Sequence, residues 1–159
     1  MARIAVQEAP LDAGAEIARL GGGRTDVGGI GLFLGAVRDT SAGRPIASMT
    51  LEHYPGMTER ALAAIAAEAE TRWPLLGCTV IHRVGRLLPG EPIVLVGTAS
   101  AHRQAALEAC AFLIDWLKTK APFWKREEFR DGTTEWVASR SEDEAAAARW
   151  AAARPEAAE

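Results

Sequence analysis

The stretch Asp115-Trp116-Leu117-Lys118-Thr119-Lys120-Ala121-Pro122-Phe123-Trp124-Lys125-Arg126-Glu127 decides how the chain is read. A helical pattern runs into it and stops at Pro122, because proline has no N–H to donate and disfavours helical geometry in the residue before it. A strand-like run leaves it, with Phe123, Lys125, Glu127 and Phe129 on one face by period two. Lys118 is therefore expected in the last helical turn, and Lys125 early in an extended segment beside two aromatics. Two ammonium groups can then converge across one chain reversal. For Lys118 and Lys120 a second reading is purely electrostatic, since the C-terminal end of a helix favours cations. Lys125 resists that reading, because an aromatic-lined face is a costly place for a charge.

Upstream, the helix that ends here spans about Ala101 to Lys120, with Leu107, Cys110, Ala111, Ile114 and Leu117 as its apolar row. Ser100 is the expected N-cap, which sets His102 and Arg103 in the first turn. Cations there oppose the helix dipole unless an anion sits nearby, so the pair reads equally as an anion site or as two side chains in water. Ile93-Val94-Leu95-Val96 is apolar on both faces and should be the most central strand. Cys78 to Leu88 reads as its hairpin partner through a turn at Pro89-Gly90. Further back lie a helix with the row Ala61, Leu62, Ile65 and Ala69, opened by Pro55, and a strand over Ile46 to Tyr54. Arg38 to Pro45 is a polar segment expected to form a mobile loop.

Gly28 to Val37 reads as a buried strand with Gly29, Gly31 and Gly35 on one face, where another backbone can approach closely. A dinucleotide fingerprint would need those glycines at a strand-to-helix turn, so it is excluded. Near the start, Arg3 to Val6 could be a short strand and Leu11 to Leu20 a short helix. Downstream, Phe123 to Arg130 and Thr134 to Ala138 flank Asp131-Gly132, a hairpin signal. Ser141 with Glu144 reads as a capping box for an alanine-rich helix. The class is α+β, a mostly antiparallel sheet with packed helices. One domain over residues 1–150 is expected, with 151–159 a frayed tail.

Eighteen basic against 21 acidic residues, net −3, argue against general nucleic-acid binding, so any anion site must be local. No run reaches the length of a membrane span, and the N-terminus lacks a signal-peptide core, so a cytoplasmic protein is expected. Cys78 and Cys110 are the only cysteines and read as buried small hydrophobes. His53 and His82 read as hydrogen-bonded strand histidines, and the three histidines have no metal-ligand spacing. What remains is an anion-binding pocket with two lysines and no nucleophilic cysteine.

Five motifs then carry a resemblance. Gly35-Ala36-Val37-Arg38, Leu51-Glu52-His53-Tyr54-Pro55-Gly56-Met57, Val80-Ile81-His82-Arg83-Val84-Gly85, Ser100-Ala101-His102-Arg103 and Leu117 through Glu127 occur in that order. From about residue 25 to Trp150 the chain resembles the large, catalytic subunit family of molybdopterin synthase. The resemblance implies an α/β-hammerhead fold and a sulfur transfer that builds the molybdopterin dithiolene on cyclic pyranopterin monophosphate. It implies a small ubiquitin-like partner whose C-terminal glycine carries the sulfur as a thiocarboxylate, and a heterotetramer around a homodimer of this chain. It implies no metal and no cofactor. By the same resemblance Ala36, Val37, Arg38, His102, Arg103, Arg126 and Glu127 contact substrate, and Lys118 and Lys125 are both catalytic and substrate-binding. Two rivals stay open on the residues alone: a non-catalytic module binding a phosphorylated metabolite or a partner tail, and a Schiff-base enzyme using one lysine.

Overall fold

The computed structural model describes residues 2–138 and 141–152. Its elements run β1 (Arg3–Gln7), α1 (Ala13–Gly21), β2 (Gly29–Ala36), β3 (Thr40–Ser41), β4 (Arg44–His53), α2 (Met57–Arg72) and β5 (Leu75–Arg83). They continue with β6 (Gly85–Leu87), β7 (Pro92–Ser100), α3 (Arg103–Thr119), β8 (Phe123–Phe129), β9 (Thr134–Trp136) and α4 (Ser141–Ala152). The fold is α+β, as the pattern of elements predicts.

Strand β7 is apolar on both faces and is buried from Ile93 to Ser100, so it lies inside a sheet ordered β1-β5-β7-β2. All its pairings are antiparallel except β1 with β5, where Arg3 to Gln7 run parallel to Thr79 to Arg83. The second sheet is ordered β3-β4-β8-β9, with β6 also paired to β4. Helices α2 and α3 cover the first sheet and bury Leu62, Ile65, Ala69, Ala109 and Leu113 against Val80, Val94 and Val96. Each fully buried aliphatic side chain of this kind contributes roughly 1.5–3 kcal/mol.

Glycine on β2 sets the distance to α3. A Cβ at Gly31 would lie 2.6 Å from the Ala106 carbonyl oxygen, and one at Gly29 would lie 3.4 Å from the Arg103 Cα. The expected close approach is therefore made by a helix. It also rotates α3: Ala106, Ala109, Cys110, Leu113 and Leu117 are buried, whereas Leu107 is 59% exposed and leaves the predicted row.

Several boundaries differ from the sequence reading. The run from Cys78 to Leu88 is two strands, because Gly85 takes a positive φ of 85° and turns β6 away to pair with β4. The Pro89-Gly90 turn thus joins strands of different sheets, while the expected antiparallel pairing holds over the first part of the run, where Cys78 to His82 of β5 pair with Thr98 to Val94 of β7. Strand β2 is an edge strand, not a buried one, with Leu32, Phe33 and Leu34 partly open to solvent. Pro55 precedes α2, whose cap is Gly56, with Glu59 accepting from the Gly56 N–H at 2.6 Å. Ser100 ends β7 and donates to the Pro74 carbonyl at 2.8 Å, which leaves His102 as the cap residue of α3. Helix α4 starts at Ser141, so the position before it, which would carry the cap, lies outside the described residues. The tail expected from residue 151 opens with two residues of the helix, which runs to Ala152, and its residues 153–159 also lie outside the described residues.

The segment expected to be a mobile loop is a hairpin. Ala42 and Gly43 both take positive φ, 49° and 77°, the geometry of a tight two-residue turn. Strands β3 and β4 pair across it through Thr40 with Pro45 and Ser41 with Arg44. The Arg44 guanidinium fastens this hairpin to the β8–β9 turn, donating to Thr133 Oγ1 and to Glu135 at 2.9 Å and lying 3.7 Å over the Phe129 ring.

The Gly31 contact is testable. Gly31→Ala should destabilise the fold by about 1–3 kcal/mol through overpacking against rigid helix backbone, measured by urea denaturation. An unchanged denaturation midpoint would mean that α3 does not rest on β2.

Candidate active site

Helix α3 ends at Thr119, where the Lys120 N–H donates to the Trp116 carbonyl, and the Phe123 N–H donates back to Ala121 to close the reversal. Strand β8 then alternates as expected: Phe123, Lys125, Glu127 and Phe129 turn inward, while Trp124 and Arg126 face out. The two periodicities meet at a cavity of about 370 Å³, lined by Lys118 from α3 and by Lys125 and Glu127 from β8. Ala36, Val37 and Arg38 line it from the end of β2. Lys118 is exposed at the rim and Lys125 is half-buried.

Three predicted residues lie elsewhere in the chain. His102 and Arg103 are exposed at the N-terminal end of α3, roughly 22 Å along the helix from Lys118 at 1.5 Å per residue. Arg126 points from the opposite face of β8, with its guanidinium 5.9 Å from the Trp136 ring. Residues that the sequence reading passed over also line the cavity: Ser41 from the β3–β4 hairpin, Val137 and Ala138 from the segment leading into α4, and Asp143 from the first turn of that helix. Nothing local marks them, because each enters through a tertiary contact.

Glu127 is 7% exposed. Its Oε1 accepts from the Ser41 hydroxyl at 3.2 Å, whereas Oε2 is screened from solvent and has no hydrogen-bond partner among the described residues. A buried acceptor left this way costs about 1–3 kcal/mol.

Under the cavity floor, the His82 ring stacks on Phe123 with centroids 4.0 Å apart and planes at 22°. His82 Nδ1 donates to the Arg83 carbonyl at 2.8 Å, fixing the proton on that nitrogen. Burial drives its pKa down to about 3; the Arg83 carbonyl opposes this, and the charges of Lys125 and Lys118 reinforce it. His53 donates from Nδ1 to Thr58 Oγ1 at 3.2 Å, since that hydroxyl already gives its proton to the Tyr54 carbonyl. Both strand histidines are hydrogen-bonded, as expected. Burial raises the thiol pKa of Cys78 to about 12 and that of Cys110 to about 11, so neither is a thiolate near neutrality. Among the described residues no group of three His, Cys, Asp or Glu is placed to hold a metal ion.

Comparison with known proteins adds the family. The profile described as "MoaE protein" matches residues 6–120. This chain belongs to the MoaE family. A MoaE-family relative from Pseudomonas aeruginosa, named molybdopterin synthase catalytic subunit, is 56% identical over 147 residues, covering 92% of this chain and 97% of that one. The solved molybdopterin biosynthesis MoaE protein from Burkholderia ambifaria superposes with a TM-score of 0.80 at 50% identity, covering 95% and 99% of the two chains. A Helicobacter pylori structure, a complex of subunits 1 and 2 of molybdopterin-converting factor, shares the fold at a TM-score of 0.70 and 19% identity, over 87% of this chain and 92% of that one.

The buried histidine sets a pH dependence. The unfolded chain binds a proton on His82 near pH 6.5, while the folded one does not until about pH 3. Stability therefore falls as pH drops through that window, by up to about 1.4 kcal/mol per pH unit from this group. In His82→Gln the fall between pH 6.5 and about 4 should be shallower, as read by urea melts at each pH. Parallel slopes would show that His82 is not held neutral.

Proposed function

We propose that this chain is the catalytic subunit of a molybdopterin synthase, moving sulfur from the thiocarboxylate at a small ubiquitin-like partner's C-terminus onto cyclic pyranopterin monophosphate. The observation that carries the reading is the meeting of Lys118 and Lys125 in one cavity, in a chain of the MoaE family. Two thiols buried as neutral groups supply no persulfide, so the sulfur must be imported. A thiocarboxylate and a phosphate repel each other, and fixed cations offset that repulsion while holding both in place.

Lys118, at the rim, holds the partner's terminal carboxyl. Lys125, deeper and beside Phe123, exchanges protons with the substrate carbons that gain sulfur. In each round a substrate carbon exchanges a carbon–oxygen bond for a carbon–sulfur bond, the freed oxygen leaving as water or with the phosphate. The bond from sulfur to the partner's glycine carbonyl breaks, and water supplies the oxygen of the released carboxylate. A dithiolene has two sulfurs, so each product consumes two loaded partners. Arg38 and the Ala36–Val37 backbone contact the phosphorylated substrate.

The working assembly is a heterotetramer of two small subunits on a homodimer of this chain, in the cytoplasm. His102 and Arg103 reach the site from the second copy, since within one chain they stand at the far end of α3. The Helicobacter pylori complex supports a second subunit on this fold. No described helix is long and apolar enough to cross a membrane.

The test is incubation of purified protein with thiocarboxylated small subunit and cyclic pyranopterin monophosphate, reading dithiolene product by mass spectrometry. Lys125→Ala should lower kcat by about 10²–10⁴-fold, the usual worth of a positioned proton donor or acceptor. Lys118→Ala should chiefly raise the KM for the small subunit. Wild-type turnover by Lys125→Ala would remove its role, and a borohydride-trapped lysine adduct with the pterin would favour imine chemistry instead.

A further inference from the structure

The residue that delivers Arg38 to the cavity is held by a turn rather than by the sheet. Pairing between β2 and β7 slips after Gly35, where Ala36 meets Pro92 and Ile93 is skipped. Val37 follows; it is buried, so its peptide groups need partners. The β6–β7 turn supplies both: the Val37 N–H donates to the Glu91 carbonyl at 3.0 Å, and the Gly90 N–H donates to the Val37 carbonyl at 2.7 Å. That turn, Leu88-Pro89-Gly90-Glu91, has proline second and glycine third with φ at 89°, the pattern of a type II turn. The Glu91 N–H donates to the Leu88 carbonyl at 3.1 Å, and Glu91 Oε2 accepts in return from the Leu88 N–H at 2.6 Å. Glu91 Oε1 lies 3.6 Å from Arg83 Nη1. The buried Arg83 guanidinium is itself fixed, donating to the Pro92 carbonyl at 3.2 Å and to the Glu8 carbonyl at 2.8 Å. Satisfying Val37 needs only the main chain of the turn, which any residue at 91 provides. What the carboxylate adds is rigidity, one residue before an arginine in a cavity wall.

We infer that Glu91 is a positioning residue: through the turn it clamps Val37 and so sets the direction in which Arg38 enters the cavity. This rests on the proposed function and deepens it, since Arg38 is there a residue that meets the phosphorylated substrate. The Val37 carbonyl belongs to the planar peptide that joins it to Arg38, so the Gly90 bond fixes the plane from which Arg38 starts. A guanidinium binds phosphate through parallel N–H donors, which makes its hold depend on orientation as well as on charge. A long side chain gives up freedom to make such a contact, and a fixed main chain leaves it less to give up. The ion pair with Arg83 is long and its carboxylate is partly exposed, so it serves as a stop for the carboxylate more than as a source of stability.

Steady-state kinetics with thiocarboxylated small subunit and cyclic pyranopterin monophosphate test this in wild type, Glu91→Ala, Glu91→Gln, Arg38→Ala and the double variant Glu91→Ala with Arg38→Ala. Glu91→Ala should raise the pterin KM about fivefold with kcat within about twofold, the signature of weakened ground-state binding. Glu91→Gln, whose amide oxygen still accepts from the Leu88 N–H, should recover most of that loss. Arg38→Ala should raise the pterin KM more, and adding Glu91→Ala to it should change nothing further, because two residues acting through one contact are not additive. A merely structural role for Glu91 would instead repeat its fivefold effect in the Arg38→Ala background. That additivity, an unchanged pterin KM in Glu91→Ala or in Arg38→Ala, or a Gln variant no better than Ala overturns the inference while leaving the sulfur-transfer reading intact. Absence of product from wild-type protein removes both.

Discussion

Because β2 carries glycine where α3 crosses it, the helix backbone lies against the strand, and a Cβ at Gly31 would sit 2.6 Å from a helix carbonyl. That contact fixes the helix axis. Once the axis is fixed, the position of its last turn follows, and with it where the chain must reverse at Pro122. Lys118 is carried to the cavity by the helix and Lys125 by the strand leaving the reversal. The placement of both cations therefore depends on an absence of side chains more than 15 Å away along α3 at 1.5 Å per residue.

The chemistry of the cavity is one of contrasts held apart by rigid backbone. Cations gather on α3, β8 and the end of β2, while one carboxylate is held between β8 and a hairpin from another part of the chain. The buried imidazole of His82, kept neutral under Phe123, adds no charge of its own beneath the lysines. The thiols are sunk in the core, so the reactive sulfur has to come from outside.

Much of this was legible in the sequence, and what was not has a common cause. Helix end, reversal and strand face between Asp115 and Phe129 follow from local periodicity and from proline, so Lys118, Lys125 and Glu127 could be placed together. The glycines of β2 announced a close neighbour. Periodicity does not say which strand is an edge, so the apolar run Gly28 to Val37 reads as buried although the strand it forms has one partner strand. Nor does it reveal a helix's rotation, and Leu107 fell outside the core because the glycine floor turned α3. Gly85 looked like an ordinary strand residue, yet its positive φ sends β6 to the other sheet. His102 and Arg103 could be named by family likeness only, since nothing near them in the chain shows where they act. Ser41 sat in a polar stretch whose order comes from Arg44 reaching across to β9, a contact between residues 91 apart in sequence.

Helix α4 is fastened by Trp150, whose ring meets Trp73 and Phe112 edge-on at 5.6 Å and whose Nε1 donates to Asp115 at 2.7 Å. The segment just before that helix forms one wall of the cavity through Val137 and Ala138. An indole in such a cluster emits according to its surroundings, so the molecule carries an intrinsic optical probe of whether that wall is in place. Any loaded partner tail that pushed the wall aside would register as a change in tryptophan emission, with no dye attached.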